Sequence, residues 1–221
     1  MRLNADLSSR AVSFADEAEW MASPLAGVQR RVLERGVGEK GRATGVVRYR
    51  AGSRFPPRGE PLGEEYLVLQ GTFADDEGQY PAGTYVRDPL GATRTSWTEE
   101  GCVLFVKLRQ MHPGDRERVV VDTASAEWFP GLARGIAVLP LHAFGSERVS
   151  LVRWAPNIRF MLHAHPGGEE IFVLDGAVED DEGRYMAGSW LRNPPGSQHE
   201  PFSLDGCLLY VKIGHLPAVT A

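Results

Sequence analysis

Residues 163 to 172 read HAHPGGEEIF. Two histidines lie one residue apart, and Glu169 follows His165 by four positions. A third histidine, His199, comes after the turn-forming Pro194-Pro195-Gly196. On a strand, residues i and i+2 face the same side, so His163 and His165 point the same way. Pro166-Gly167-Gly168 can turn the chain and return Glu169 beside them on the next strand. The segment after Pro194-Pro195-Gly196 can present His199 from a third. Three imidazoles and one carboxylate suit one divalent transition metal per chain: zinc, iron, nickel, manganese or copper. Four protein ligands can close a tetrahedral site or leave positions open on a larger coordination shell. The spacing leaves both possible. Arg159 and Met161 share the parity of His163 and His165 and are expected to line the same cavity. Arg159 can hold an anionic substrate group there or pair with Glu170. His112, His142 and His215 fall outside the pattern and are read as ordinary surface or core residues.

The elements that position these residues are short. EYLVLQG, CVLFVKL, EIFVLDG and CLLYVKI are strand-length apolar runs bounded by turn signals. Long helical periodicity is absent. The chain is predicted to be all-β, of sandwich or barrel type.

It is also a tandem repeat. Residues 64–107 align with 169–212 at an offset of 105 with no gap, and 20 of the 44 positions are identical. That is too many for chance and implies two homologous β-domains, expected over 12–110 and 118–215 with a linker near MHPGDRER. Upstream, Val47-Arg48-Tyr49 matches Val152-Arg153-Trp154, and Glu19-Trp20 matches Glu127-Trp128 after a small indel. The shared glycines mark turns. The shared DDEG, at 75–78 and 180–183, reads as a hairpin turn rather than a calcium loop, which needs more oxygen ligands. Cys102 and Cys207 occupy equivalent strand positions and are read as buried, inert thiols.

The offset carries His163 to Arg58, His165 to Glu60, Glu169 to Glu64 and His199 to Arg94. The carboxylate survives and every imidazole is gone. Arginine has no lone pair to give a metal, so the first repeat is expected to bind none. Two arginines and two glutamates sum to zero. A salt-bridge network of Arg58 and Arg94 with Glu60 and Glu64, joined by Arg54, is the expected substitute for the ion. An anion pocket built from the same arginines is the rival.

The remaining composition excludes several classes. The net charge is −5 with no basic stripe, so no nucleic-acid partner is expected. No run approaches the roughly 18 apolar residues of a membrane span, and the start lacks a signal-peptide core, so a cytoplasmic protein without a membrane partner is expected. Neither cysteine belongs to a C-x-x-C pair.

The two motifs of the second repeat, H-x-H-x3-E-x6-G and G-x5-P-x-G-x2-H, resemble the signature motifs of the cupin superfamily. Ser203 stands where that pattern has Asn, and Asn157 where it has a leading Gly. GGEEIFVLDG, DDEGRY, AGSWLRNPPGSQH and GCLLYVK resemble, more narrowly, the cupin half of ChrR-type anti-sigma factors. The resemblance implies two tandem double-stranded β-helix (jelly-roll) barrels, with metal on His163, His165, Glu169 and His199 of the second. The helical zinc-binding domain of those factors has no counterpart here, so direct sigma-factor contact does not carry over. What does carry over is a regulatory or sensor-type protein with a divalent metal. Quercetinase-like bicupins and acetylacetone dioxygenase are also similar in their three-histidine sites. They imply the alternative of an Fe(II)-dependent dioxygenase acting on a small diketone or phenolic molecule. A third possibility is a structural metal in a homodimer joined through barrel edges.

Overall fold

The structure is a computed structural model and describes residues 2–17, 19–38 and 41–217. Among these residues there are 22 strands and no helix, so no helix is long and apolar enough to cross a membrane. The chain divides into two compact units, residues 1–5 with 18–126 and residues 6–17 with 127–221.

Each unit is a barrel of two facing sheets built from the same strands. In the first, the main sheet runs Val119–Asp122, Thr84–Asp88, Glu64–Asp75, Cys102–Leu108, Ala43–Tyr49, Val28–Arg35 and Met21–Ala22. In the second it runs Ala11–Ser13, Trp190–Asn193, Glu169–Asp180, Cys207–Ile213, Glu147–Trp154, Ile136–Phe144 and Phe129–Pro130. The 12-residue strands Glu64–Asp75 and Glu169–Asp180 bend from the main sheet into the opposite one.

The bend has a local cause. Pairing with Cys207–Ile213 slips by one residue between Val173 and Asp175, and Gly176 follows at φ 69°. A Cβ on Gly176 would sit 2.1 Å from the carbonyl oxygen of Gly206. Gly71 repeats this in the first unit, at φ 69° and 2.0 Å from the Gly101 oxygen. Gly176→Ala is therefore expected to destabilise the second unit by about 1–2 kcal/mol from backbone conformation alone. The clash adds to that, and a fall in Tm reads the total.

The units differ from the contiguous spans 12–110 and 118–215 at their edges. Ala11–Ser13 precedes the first repeat but pairs with Trp190–Asn193 of the second unit. Val119–Asp122 precedes the second repeat but pairs with Thr84–Asp88 of the first. The two exchanged strands are equivalent. Ala11 faces Arg192, and Val119 faces Arg87. Each is anchored by the arginine just before it. Arg10 binds Asp180 at 2.5 Å, Tyr185 at 2.7 Å and Glu182. Arg118 binds Asp75 at 3.2 Å, Tyr80 at 2.7 Å and Glu77 at 2.9 Å. The DDEG hairpins are thus docking points as well as turns. Asp75 and Asp180 also close their own hairpins by accepting from the backbone of the residues that follow.

The two cores use matched positions. Tyr66, Val68, Phe73, Tyr80, Cys102 and Leu104 are buried in the first. Ile171, Val173, Val178, Tyr185, Cys207 and Leu209 take their places in the second. Burying each large apolar side chain contributes about 1.5–3 kcal/mol. Burial pushes both cysteine thiols up to about 11, which keeps them protonated and unreactive. Two substitutions change the interior. Tyr66 and Phe73 of the first barrel are Ile171 and Val178 in the second, which leaves the second barrel emptier.

Candidate metal centre

His163 and His165 lie on the strand His163–His165, which pairs antiparallel with Ser197–His199. The register sets His163 opposite His199, so the two imidazoles meet across the pair. Glu169 opens the next strand and is 5 % exposed. The turn between them is closed by the Gly168 N–H donating to the His165 carbonyl.

The four side chains converge on one point. His165 Nε2 lies 3.0 Å from His199 Nε2, which lies 3.2 Å from His163 Nε2. Glu169 Oε2 is 3.4 Å from His165 Nε2 and 3.3 Å from His199 Nε2. Ligand nitrogens of all three histidines fall within 4.8 Å of one another. Three imidazoles aimed at one point turn ring nitrogens on each other, an arrangement that a cation satisfies better than hydrogen bonds between the rings do. Outer partners fix the ligands. Asn193 Nδ2 donates to Glu169 Oε2 at 3.0 Å. Met161 lends its carbonyl, 2.9 Å from His163 Nδ1, which leaves Nε2 of that ring free to ligate.

Electrostatics match this use. Desolvation, with the neighbouring imidazoles, pushes His165 down to about 3 and His199 down to about 4. Both rings are neutral and ready to ligate at ordinary pH. Burial pushes Glu169 up to about 7, opposed by the Asn193 hydrogen bond. A metal needs the carboxylate, so protons compete through Glu169 below about pH 7 and not above it. Apparent metal affinity is expected to weaken about tenfold per unit from pH 7 towards pH 5, read by titration against a competing chelator. An affinity unchanged over that range would contradict it.

The site opens on a cavity of about 240 Å³ inside the second barrel. Its walls include Val138, Val152, Ile171, Val178, Val211 and Ile213. Among the lining residues only the four candidate ligands titrate. Arg159 and Met161 do not line it, contrary to the parity expectation. The strand Ile158–Arg159 ends before His163–His165 begins, so parity is lost across 160–162. The Arg159 side chain is 55 % exposed, pairs with Glu200 at 3.4 Å and lies over the Phe202 ring, and Met161 is 67 % exposed. Phe160 faces inward instead, edge-on to His163 at 4.9 Å. The departures at Asn157 and Ser203 are local solutions. Asn157 adopts φ 60°, the conformation that glycine would take. Ser203 is fully buried and donates to the Ala177 carbonyl at 2.6 Å.

The first barrel differs. Arg94 binds Asp88 at 3.2 Å, Asp75 at 3.7 Å and Glu77. Glu60 binds Arg109 at 2.5 Å. These partners replace the expected pairing of Arg94 with Glu60. Arg58 lies opposite Arg94 in the backbone register, and its side chain lies outside the described residues. Glu64 lines a void of only about 30 Å³ with Glu60 and Arg94. Arg54 pairs with Glu99 at the surface. Sequence reasoning missed Asp75, Asp88, Arg109 and Arg118. Asp88 stands where the second barrel has Asn193, a change from amide to carboxylate that accompanies the change from imidazole to guanidinium.

The family described as the ChrR cupin-like domain matches twice, over residues 8–112 and 116–217. The chain belongs to the ChrR cupin-like family. Both barrels of this ChrR cupin-like protein are therefore family domains, although only the second carries the histidines. No curated protein matches the chain. Among solved structures it is similar to a protein from Nostoc punctiforme named as a candidate dioxygenase (TM-score 0.78, 16% identity, 97% of this chain and 88% of that one). It is similar to Ylba from E. coli (TM-score 0.72, 14% identity, 100% and 97%) and to Bacillus subtilis oxalate decarboxylase (TM-score 0.68, 12% identity, 98% and 80%). At these identities the likeness shows the fold: two cupin barrels in one chain.

Proposed function

We propose that the second barrel holds one divalent transition metal on His163, His165, Glu169 and His199, and that a small, largely apolar molecule binds against it and is oxidised by dioxygen. The observation that carries this reading is the apolar cavity of about 240 Å³ opening on the ligand atoms. A purely structural metal needs no such space. The volume is below the roughly 300–1,000 Å³ of pockets for drug-sized ligands, which favours a small substrate. The metal, when bound, supplies Lewis-acid activation and open coordination positions for substrate oxygen and O₂. The chain's own residues do the rest. Asn193 orients Glu169, Met161 orients His163, and the valine and isoleucine walls exclude water. Insertion of both oxygen atoms into the product needs no external reductant.

A second reading is a sensor that binds the molecule without turnover, favoured by membership of the ChrR cupin-like family. The two share one site and separate in one experiment. Iron-loaded protein is mixed with small diketones and phenolic ketones while oxygen uptake and calorimetric binding are followed. Uptake that is lost in Val178→Phe supports the enzyme. Binding without uptake supports the sensor, and neither signal sinks both. Val178→Phe installs the first barrel's residue, so it is expected to fill the cavity and weaken small-molecule binding more than 100-fold with metal content unchanged.

A further inference from the structure

The cavity that opens on the four candidate ligands also reaches the surface. Leu132 is one of its walls and is 92 % exposed. It belongs to the turn between Phe129–Pro130 and Ile136–Phe144. That turn lies against the segment leading to the first histidine. The Ala155 N–H donates to the Gly135 carbonyl at 2.8 Å, and a Cβ on Gly135 would meet Ile158 Cδ1 at 2.5 Å. Met161 and Leu162 end the segment, directly before His163, and both are exposed. Single exposed apolar side chains are ordinary. Three beside one cavity mouth mark a place where apolar matter docks.

The first barrel lacks this rim. Trp20 aligns with Trp128 and Gly27 with Gly135, both at an offset of 108, which carries Leu132 to Pro24. The offset of 105 carries Met161 and Leu162 to Pro56 and Pro57. Three long, pliant side chains thus stand where the first barrel has three short, rigid prolines. The difference goes with the histidines and with the smaller interior residues Ile171 and Val178. Apart from the four candidate ligands, every residue lining the cavity is aliphatic, aromatic or proline. A ligand can therefore place polar atoms at the metal end alone, and whatever extends from there meets hydrocarbon as far as Leu132.

We propose that the ligand of this site is an amphiphile, with a small oxygen-bearing head at the metal and a hydrocarbon tail. The tail fills the cavity and leaves it over the rim of Leu132, Met161 and Leu162. A space of about 240 Å³ takes the head and a short tail, and the rim gives a longer tail an apolar path out. This names the substrate class of the metal centre and rests on the reading of that centre.

Calorimetry on the metal-loaded chain with alkyl hydroxamates of two, six and ten carbons tests it, since the head chelates the metal and only the tail varies. Each buried methylene contributes about 0.8 kcal/mol, or about fourfold in Kd. Kd is expected to fall roughly 100-fold from two carbons to six and roughly tenfold more from six to ten, where the tail crosses the rim. Leu132→Ser and Leu162→Ser are each expected to cut the six-to-ten gain to about threefold or less and to keep the two-to-six gain. Two separate variants keep the test valid if one folds poorly. No gain from six to ten carbons, or a gain that both variants retain, overturns this inference alone. A two-carbon probe that fails to bind, or that binds equally after the metal is removed, overturns the reading of the metal centre and this inference with it. A change of oligomeric state in Leu132→Ser with the chain-length gain intact assigns the rim to a second copy of the chain, and overturns the inference as well.

Discussion

His199→Ala is expected to strip the second barrel of its metal. The variant loses the ligand that faces both His163 and His165 at 3.0–3.2 Å and leaves two imidazoles and one carboxylate. Loss of an outer-shell partner alone costs roughly 10–100-fold in metal affinity, and loss of a ligand should exceed that. Metal that binds only the folded state stabilises it by mass action. Added metal should therefore raise the Tm of the native chain and leave that of His199→Ala nearly unmoved. Without metal the order is expected to reverse or vanish, since removing one of three crowded rings relieves a polar cluster with poor internal hydrogen bonding. Equal metal-dependent rises in Tm in the two proteins would contradict the ligand assignment.

Arg87→Leu should be the most damaging change in the first unit. Arg87 is fully buried and bridges Glu65 at 2.6 Å and Asp115 at 2.7 Å, both at most 2 % exposed. Tyr85 donates to the same Glu65 oxygen at 2.8 Å. Removing the guanidinium takes one counter-charge away from two buried carboxylates, which costs about 3–5 kcal/mol and lowers Tm by roughly 10 °C. The triple replacement of Glu65, Arg87 and Asp115 by leucine should cost less, because the three bridged charges leave together. Metal content should be normal in both. An Arg87→Leu protein as stable as the native chain would show that the triad carries little of the fold.

The parts of this fold that were legible in the sequence are those whose signals are local. The one-residue spacing of His163 and His165, the turn at Pro166-Gly167-Gly168 and the return to Glu169 define three ligands within seven residues. His199 is marked by the turn Pro194-Pro195-Gly196 just before it, which presents it from a third strand. The all-β class follows from short strand-length runs, and Gly71 and Gly176 mark a bend that leaves no room for a side chain. What escaped depends on distant pairings. Ala11–Ser13 reaches Trp190–Asn193 across about 180 residues, and no local pattern says which barrel's edge it completes. The charge sum over Arg58, Glu60, Glu64 and Arg94 shows that charges must cancel but not which partners cancel them. Asp75, Asp88 and Arg118 enter from strands and a linker that only the fold brings together. Parity misplaced Arg159 and Met161 because it holds within one strand, and the chain leaves the strand between Arg159 and His163.

The central claim is that one barrel of two holds metal, on four named side chains. Anomalous X-ray diffraction from crystals of the metal-loaded chain, collected at the edge of the bound element, tests it directly. The expected result is one peak per chain, within about 2.0–2.2 Å of a nitrogen from each of His163, His165 and His199 and of Glu169 oxygen, with none near Arg94 and Glu64. A peak in the first barrel, two peaks per chain, or a peak away from these histidines would contradict it.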